Sequence, residues 1–222
     1  MTTPEAARSL LLTIDMQVDF VTEIQGTADA VPNMARLVQA FRAAQRPIIH
    51  LVRLYRADGS NVDLCRREAV IEGWSAVRPD SAGAELVAEL TLPGSKLDAS
   101  TLLNGQPQMI GHQEWVVYKP RWGGFYQTCL EQMLSGLEVN TVVVCGCNYP
   151  NCPRATVYEA SERDLRVMLV ADALSGLYEQ GRRELEAIGV RVANTQACLD
   201  WIRGRPSGGA PSGPGLEPRP RN

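Results

Sequence analysis

The chain has 222 residues, 45% of them hydrophobic and 21% charged, which is ordinary composition for one large globular domain with its own core. A formal net charge of −3 leaves no basic footprint for nucleic acid or an anionic membrane surface, so a small molecule is the expected partner. The opening MTTPEAARSLLLTID has no basic segment leading into a long apolar run, and no stretch of about 18 consecutive apolar residues follows, so a soluble cytoplasmic protein is expected.

Six short aliphatic and β-branched runs recur: SLLLTID (9 to 15), PIIHLVRLY (47 to 55), EWVVYKP (114 to 120), TVVVCG (141 to 146), RVMLVAD (166 to 172) and VRVANT (190 to 195). Most are apolar throughout rather than alternating, the pattern of strands buried on both faces of a parallel sheet. Between the first two, Met34, Leu37, Val38 and Phe41 fall at i, i+3, i+4 and i+7, which predicts an amphipathic helix with Pro32 in its first turn and Pro47 beyond its end. Residues 56 to 113 are less regular. Helical pieces are predicted around 63 to 72 and 82 to 90, with the loop-like RADGSNVD and TLPGSKLDASTLLNGQPQ beside them. After the third run, Thr128 and Glu131 have capping-box spacing ahead of the stripe Leu130, Met133, Leu134 and Leu137. After the fourth, Pro153 fits the first turn of a helix, and further helices are expected over 180 to 188 and 196 to 203. This alternation predicts an α/β fold, a three-layer α/β/α sandwich around a six-stranded, mostly parallel, Rossmann-like sheet with right-handed crossovers. Residues 1 to 203 make that domain, and 204 to 222, rich in Gly, Pro, Ser and Arg, are expected to form a flexible tail.

Cys145, Cys147 and Cys152 stand within eight positions of one another, open to reading as a metal site, a disulfide or one reactive thiol among bystanders. Structural disulfides are uncommon in the cytosol. The C-x-C-x₄-C spacing, with His50 and His112 far apart, is not a zinc pattern. In an open parallel sheet, ligands bind beyond the carboxyl ends of the strands. There Asp15 closes the first run, Lys119 the third, and Cys152 follows the fourth at the start of a helix. Cys145 lies inside a strand as an apolar thiol, whereas free N–H groups and the helix dipole at Cys152 stabilise thiolate and could hold an oxyanion. Asp15 makes sense as a proton acceptor only beside a cation such as Lys119. Each residue alone has an ordinary explanation, as a loop cap, a solvated cation or a packed thiol; their convergence on one sheet edge points to catalysis.

These motifs resemble the isochorismatase-like cysteine hydrolase superfamily over roughly residues 8 to 200. LLTIDMQVDF is similar to the family's first-strand motif ending in the catalytic Asp, here Asp15, with Gln17 and Phe20 in their usual places. VVYKPRWGGFYQT resembles the segment that carries the catalytic Lys, here Lys119, and a pocket aromatic, here Phe125. VVVCGCNYPNCPRATVYEASERD resembles the strand, tight loop and nucleophile helix, with Cys152 six residues after Gly146. The resemblance implies a cis peptide at Cys147–Asn148 that turns the Asn148 N–H towards the Cys152 N–H, the two forming an oxyanion hole. Tyr149 and Pro150 depart from the Thr and Asp or Asn of many relatives.

The resemblance further implies a cysteine-dependent hydrolase that cleaves a C–N bond of a small amide-like molecule through a thioester. An amide, a carbamoyl compound, a ureide or a lactam, as for streptothricin hydrolases, would fit. No cofactor is implied, and a homo-oligomer, dimer or tetramer, is expected. Nicotinamidases of the family carry metal-binding histidines where this chain reads RLYRADGSNVDLCRRE, so no metal is expected. Phe20, Trp122, Phe125 and Tyr149 are the expected pocket wall, with Trp74, Arg53 and Arg56 as further candidates and Asp172 as a cap. Other readings are an isochorismatase-type vinyl ether hydrolase that uses the Asp without the thiol, a non-catalytic binding relative, and a redox sensor. If the first strand is flanked by the fourth and the second, the third lies two spacings away, roughly 10 Å, so strand twist and the following loop must help Lys119 inward.

Overall fold

The computed structural model describes residues 3–205. In chain order the elements are β1 (Ser9–Ile14), α1 (Val18–Glu23), α2 (Thr27–Ala43), β2 (Ile48–Val52), α3 (Leu64–Ile71), α4 (Ala99–Leu103), β3 (Gln108–Gly111), β4 (Glu114–Tyr118), α5 (Leu130–Gly136), β5 (Thr141–Gly146), α6 (Cys152–Ser161), β6 (Arg166–Leu174), α7 (Glu179–Ala187), β7 (Arg191–Ala193) and α8 (Thr195–Ile202). Of the tail expected at 204 to 222, residues 206 to 222 lie outside the described residues.

All six expected strands form, and β3 adds a seventh, giving one sheet in the order β3-β4-β2-β1-β5-β6-β7. Every pairing is parallel except β3 with β4. Successive residues of β1 pack into opposite layers: Leu10, Leu12 and Ile14 join the α5, α6 and α7 side, and Leu11 joins the α2 and α8 side. With both faces covered, the strand has no polar face to show, which is why it reads as a continuous apolar run. Each fully buried aliphatic side chain contributes about 1.5–3 kcal/mol.

Three local expectations are corrected. The first long helix begins at Thr27, so Pro32 lies inside it rather than in its first turn. Pro32 and Ala28 are exposed, so the carbonyl left without an N–H partner faces water. Thr128 accepts from the Leu130 N–H at 3.3 Å, but Glu131 turns to Arg163 at 2.9 Å instead of closing a capping box. The helix expected over 82 to 90 is two single 3₁₀ turns, because its backbone bonds elsewhere: Val18 N–H donates to Glu85 C=O and Val87 N–H to Met16 C=O.

The chain reverses sharply after β5 at Gly146, with φ 132°. A Cβ there would lie 2.3 Å from the Ile14 carbonyl oxygen and 2.6 Å from its nitrogen, both backbone of the central strand. Gly146→Ala is therefore expected to cost about 3 kcal/mol or more, read as a lowered urea midpoint at unchanged slope. An unchanged midpoint would show that the β1–β5 edge yields.

Candidate active site

The order of the sheet reverses at β1, between β2 and β5, and the crevice at a switch point of this kind is the favoured ligand position. Asp15 follows β1 directly, in the left-handed region at φ 55°, and its N–H donates to Leu51 at 2.9 Å. Lys119 follows β4, and its N–H donates to Val52 at 3.0 Å. Both residues are thus pinned to the end of β2 from opposite sides, and their side chains meet across it. Lys119 Nζ donates to Asp15 Oδ2 at 2.9 Å and to the Arg121 carbonyl at 3.4 Å. The span of two strand spacings is closed by two residues that both lie past the strand ends.

Cys152 opens α6, and its carbonyl accepts from Thr156 Oγ1 at 2.8 Å. The same Thr156 oxygen accepts from the Gly124 N–H at 3.0 Å, and Glu159 accepts from the Phe125 N–H at 2.9 Å, so α6 anchors the loop after Lys119. Asp15 is 4% exposed, Lys119 0% and Cys152 4%. The second carboxylate oxygen, Asp15 Oδ1, is buried with no hydrogen-bond partner among the described residues.

Electrostatics correct one expectation. Burial pushes the Cys152 thiol up to about 11, and the Asp15 charge adds to the rise, while Lys119 and Arg53 oppose it. The thiol is therefore protonated near neutrality despite its place at a helix N-terminus, because desolvation and the Asp15 charge outweigh the two cations. The neighbouring thiols are raised chiefly by burial too: Cys147 to about 11, Cys198 to about 12, and Cys145 further. All six cysteines are free.

The expected cis peptide at Cys147–Asn148 is absent, every peptide bond among the described residues being trans. Gly146 takes the reversal, and Cys147 and Tyr149 are held by N–H bonds to Ile14 C=O (2.9 Å) and Ser175 C=O (2.8 Å). The N–H groups of Asn148 and Cys152 donate to no protein group among the described residues.

Of the expected pocket aromatics, Trp122, 38% exposed, lines a groove beside α3, and Phe125 borders a separate cavity of about 440 Å³ with Leu134 and Arg163. Tyr149 is wholly buried, donating to the Gly181 carbonyl at 3.1 Å under α7, and so leaves the pocket wall. Phe20 and Phe125 sit in the two cores, with the Arg163 guanidinium 4.6 Å above the Phe125 ring. Trp74 packs on Tyr55, and Arg56 is exposed. Asp172 accepts from the N–H and Oγ1 of Thr195 at 2.6 and 2.8 Å, a cap on α8.

A cationic cluster stands beside the three residues. Buried Arg53 donates to the Lys119 carbonyl at 3.3 Å, to Tyr55 Oη and to Asp63, and Arg66 reaches the same Asp63 oxygen at 3.2 Å. Burial works against the Arg66 charge, and the Tyr55 oxygen and the Cys152 sulfur favour it. Between α3 and the 121 to 126 loop lies an open groove of about 640 Å³ lined by Asp63, Leu64, Arg121, Trp122, Tyr126 and Glu159. Asp15, Lys119 and Cys152 do not line it; the Arg121 carbonyl and the Arg53–Asp63 pair join them to its wall. Arg66 and Asp63 carried no signal in the sequence, where LCRRE reads as an ordinary solvated helix face. Among the described residues no group of three His, Cys, Asp or Glu side chains could hold a metal ion, and no helix is long and apolar enough to cross a membrane.

Comparison with known proteins gives the family of this fold. The family model described as the isochorismatase domain matches residues 9–197. A probable inactive nicotinamidase of Arabidopsis thaliana is 30% identical over 202 residues, covering 86% of this chain and 93% of its own. A ureidoacrylate amidohydrolase of Methylobacterium radiotolerans is 23% identical over 213 residues, 89% of this chain and 77% of that one. The crystal structure of an isochorismatase family protein from Desulfovibrio vulgaris superposes with a TM-score of 0.75 at 31% identity, over 89% of this chain and 99% of the other. A match running from β1 into α8, on a sheet whose first and fourth long strands bracket the switch point, makes this chain a member of the isochorismatase family, a generally hydrolytic one.

Proposed function

We propose that the chain is a cysteine-dependent hydrolase of a C–N bond in a small molecule, an amide, carbamoyl compound, ureide or lactam, working as a cytoplasmic homo-oligomer. The observation that carries this reading is the buried Asp15–Lys119 pair, with Oδ1 of Asp15 unpartnered and its charge felt by the Cys152 thiol. The likeness to an amidohydrolase supports the bond type.

The thiol is protonated at rest, so proton transfer accompanies attack. Cys152 gives its proton to Asp15 Oδ1 as its sulfur bonds the carbonyl carbon, and the carbonyl oxygen becomes an oxyanion. Backbone N–H groups of Asn148 and Cys152 are the candidate donors to it, each worth about 10²–10³-fold. The tetrahedral intermediate collapses by breaking the C–N bond, and the amine or ammonia leaves with the proton from Asp15. Water then attacks the thioester, giving Asp15 a proton; the C–S bond breaks and the sulfur recovers that proton. Lys119 keeps a positive charge beside Asp15 throughout.

The test is ammonia or amine release from a panel of small amides, carbamoyl compounds, ureides and lactams, alongside mass spectrometry of the quenched protein. Expected are turnover of one class, an acyl adduct mapped to Cys152, and loss of at least about 10³-fold in Cys152→Ser. C–N turnover undiminished in Cys152→Ser would overturn the thiol as nucleophile, and hydrolysis of a vinyl ether with none of the panel turned over would instead favour a vinyl ether hydrolase using Asp15 alone.

A further inference from the structure

We propose that the groove beside the thiol holds its substrate by an anionic end, gripped by Arg121 with Arg66 in support, so that the compounds hydrolysed carry a carboxylate. The use of the site rests on the C–N hydrolase reading; the charge of the groove does not.

Three guanidiniums stand on this side of the molecule, and of the two carboxylates near them Asp63 is ion-paired while Glu159 is held by a backbone N–H alone among the described residues. Asp63 is shared by Arg53 and Arg66. Glu159 accepts the Phe125 N–H that holds the loop on α6. Arg121 lines the groove, and no carboxylate lies within salt-bridge distance of it among the described residues. Its guanidinium donates only to two backbone carbonyls, Pro120 at 2.7 Å and Asn61 at 3.3 Å, both through Nη1. Nε and Nη2 are therefore left as a paired edge, the fork that suits the two oxygens of a carboxylate.

Position makes this fork relevant to the chemistry. The carbonyl of Arg121 itself accepts from Lys119 Nζ, so the residue that offers the fork is fixed to the catalytic pair through its own backbone. Arg66 carries a half-exposed guanidinium, hydrogen-bonded to Tyr55 Oη at 3.2 Å on the opposite, α3 side. Leu64, Trp122 and Tyr126 supply apolar flanks, which strengthen an ion pair formed between them by lowering the local dielectric. A neutral amide could fill the same groove, but it would leave the Nε and Nη2 donors of Arg121 unanswered.

A matched pair of probes reads the charge alone: N-carbamoylglycine, an anion, and N-carbamoylglycinamide, neutral and nearly the same shape. Two measurements are made, kcat/KM for carbamoyl hydrolysis by the wild type and calorimetric binding to the Cys152→Ser protein. The anion is expected to be favoured by on the order of 10- to 100-fold in both, less at high salt. Arg121→Gln is expected to bring both ratios close to one, and Arg121→Lys to keep part of the preference, which a merely structural role for the side chain would not produce. Equal handling of the two probes by wild type, or a preference that survives Arg121→Gln, overturns the anionic groove. Anion-selective binding without hydrolysis of either probe or of any member of the amide, carbamoyl, ureide and lactam panel keeps the groove and overturns the hydrolase reading; hydrolysis of both probes at equal rates does the reverse. No binding of either probe together with no hydrolysis across the panel overturns both.

Discussion

Asp15→Asn is expected to slow turnover by about 10³-fold while making Cys152 easier to alkylate near neutral pH. The two effects have opposite signs because Asp15 plays two parts. As a base it takes the thiol proton during attack; as a resting anion it helps burial hold that thiol up at about 11. Removing the anion leaves the Lys119 ammonium facing the thiol without its partner, and the thiol titrates lower. A fall of one unit or more means at least about tenfold more thiolate at pH 7.5. Iodoacetamide labelling as a function of pH, with peptide mapping of all six cysteines, measures the midpoint directly. The single variant also leaves a buried lysine unpaired, at a cost of roughly 3–5 kcal/mol, so Asp15→Asn/Lys119→Met is the companion. In the double variant the thiol is expected to titrate high again. Undiminished turnover in Asp15→Asn would sink the base assignment, and slower labelling would sink the resting-anion effect on the thiol.

The largest expected loss of stability lies on the opposite face of β2. Glu114 accepts from Arg42 Nε and Nη2 at 2.7 Å each and from His50 Nε2 at 2.9 Å, and His50 Nδ1 meets Thr13 Oγ1 at 2.7 Å. Burial alone would raise the Glu114 carboxyl, but the hydrogen bonds from Arg42 and His50 outweigh it and hold the group at about 2, against an ordinary 4.5. The folded value is depressed, so the stabilisation is complete above about pH 4.5 and drains as pH falls towards 2. The difference corresponds to about 3 kcal/mol. Glu114→Gln is expected to cost about 3–5 kcal/mol at pH 7, since it strands a buried imidazole and part of a guanidinium. It should also flatten the acid limb of a urea-midpoint against pH plot. An acid limb as steep as wild type would assign acid sensitivity to other carboxylates. Thr13, His50 and Glu114 have the outline of a hydrolytic relay, yet all three are sealed inside the sheet and serve packing instead.

The strands were legible because two covered faces leave a strand no polar positions, and a run such as TVVVCG then has few other meanings. β3 was not, since Gln108–Gly111 is short, edge-bound, and interrupted by a register shift between Met109 and Gly111. Nor could periodicity reveal that residues 85 to 87 bond back to 16 to 18 instead of coiling. Asp15, Lys119 and Cys152 could be named because strand ends mark one sheet edge. Arg66, on one face of a short polar helix, and Arg121, on an irregular loop, left no pattern, and Tyr149 was misplaced because an aromatic beside a reactive loop reads the same whether it lines a cavity or plugs a core. The state of the thiol depended on depth of burial, which spacing along the chain does not encode.

The Asp15–Lys119 contact also bears on how such a chain drifts. Whatever their part in the proposed chemistry, those two side chains are struts, each needing the other to remain tolerable inside the protein, so mutation can remove either only by removing both. Cys152 carries no such debt, and a serine or alanine in its place leaves no stranded charge. A lineage released from selection for turnover should therefore lose the sulfur early and keep the ion pair long afterwards, and an intact Asp–Lys pair in a sister chain says more about its folding than about its chemistry.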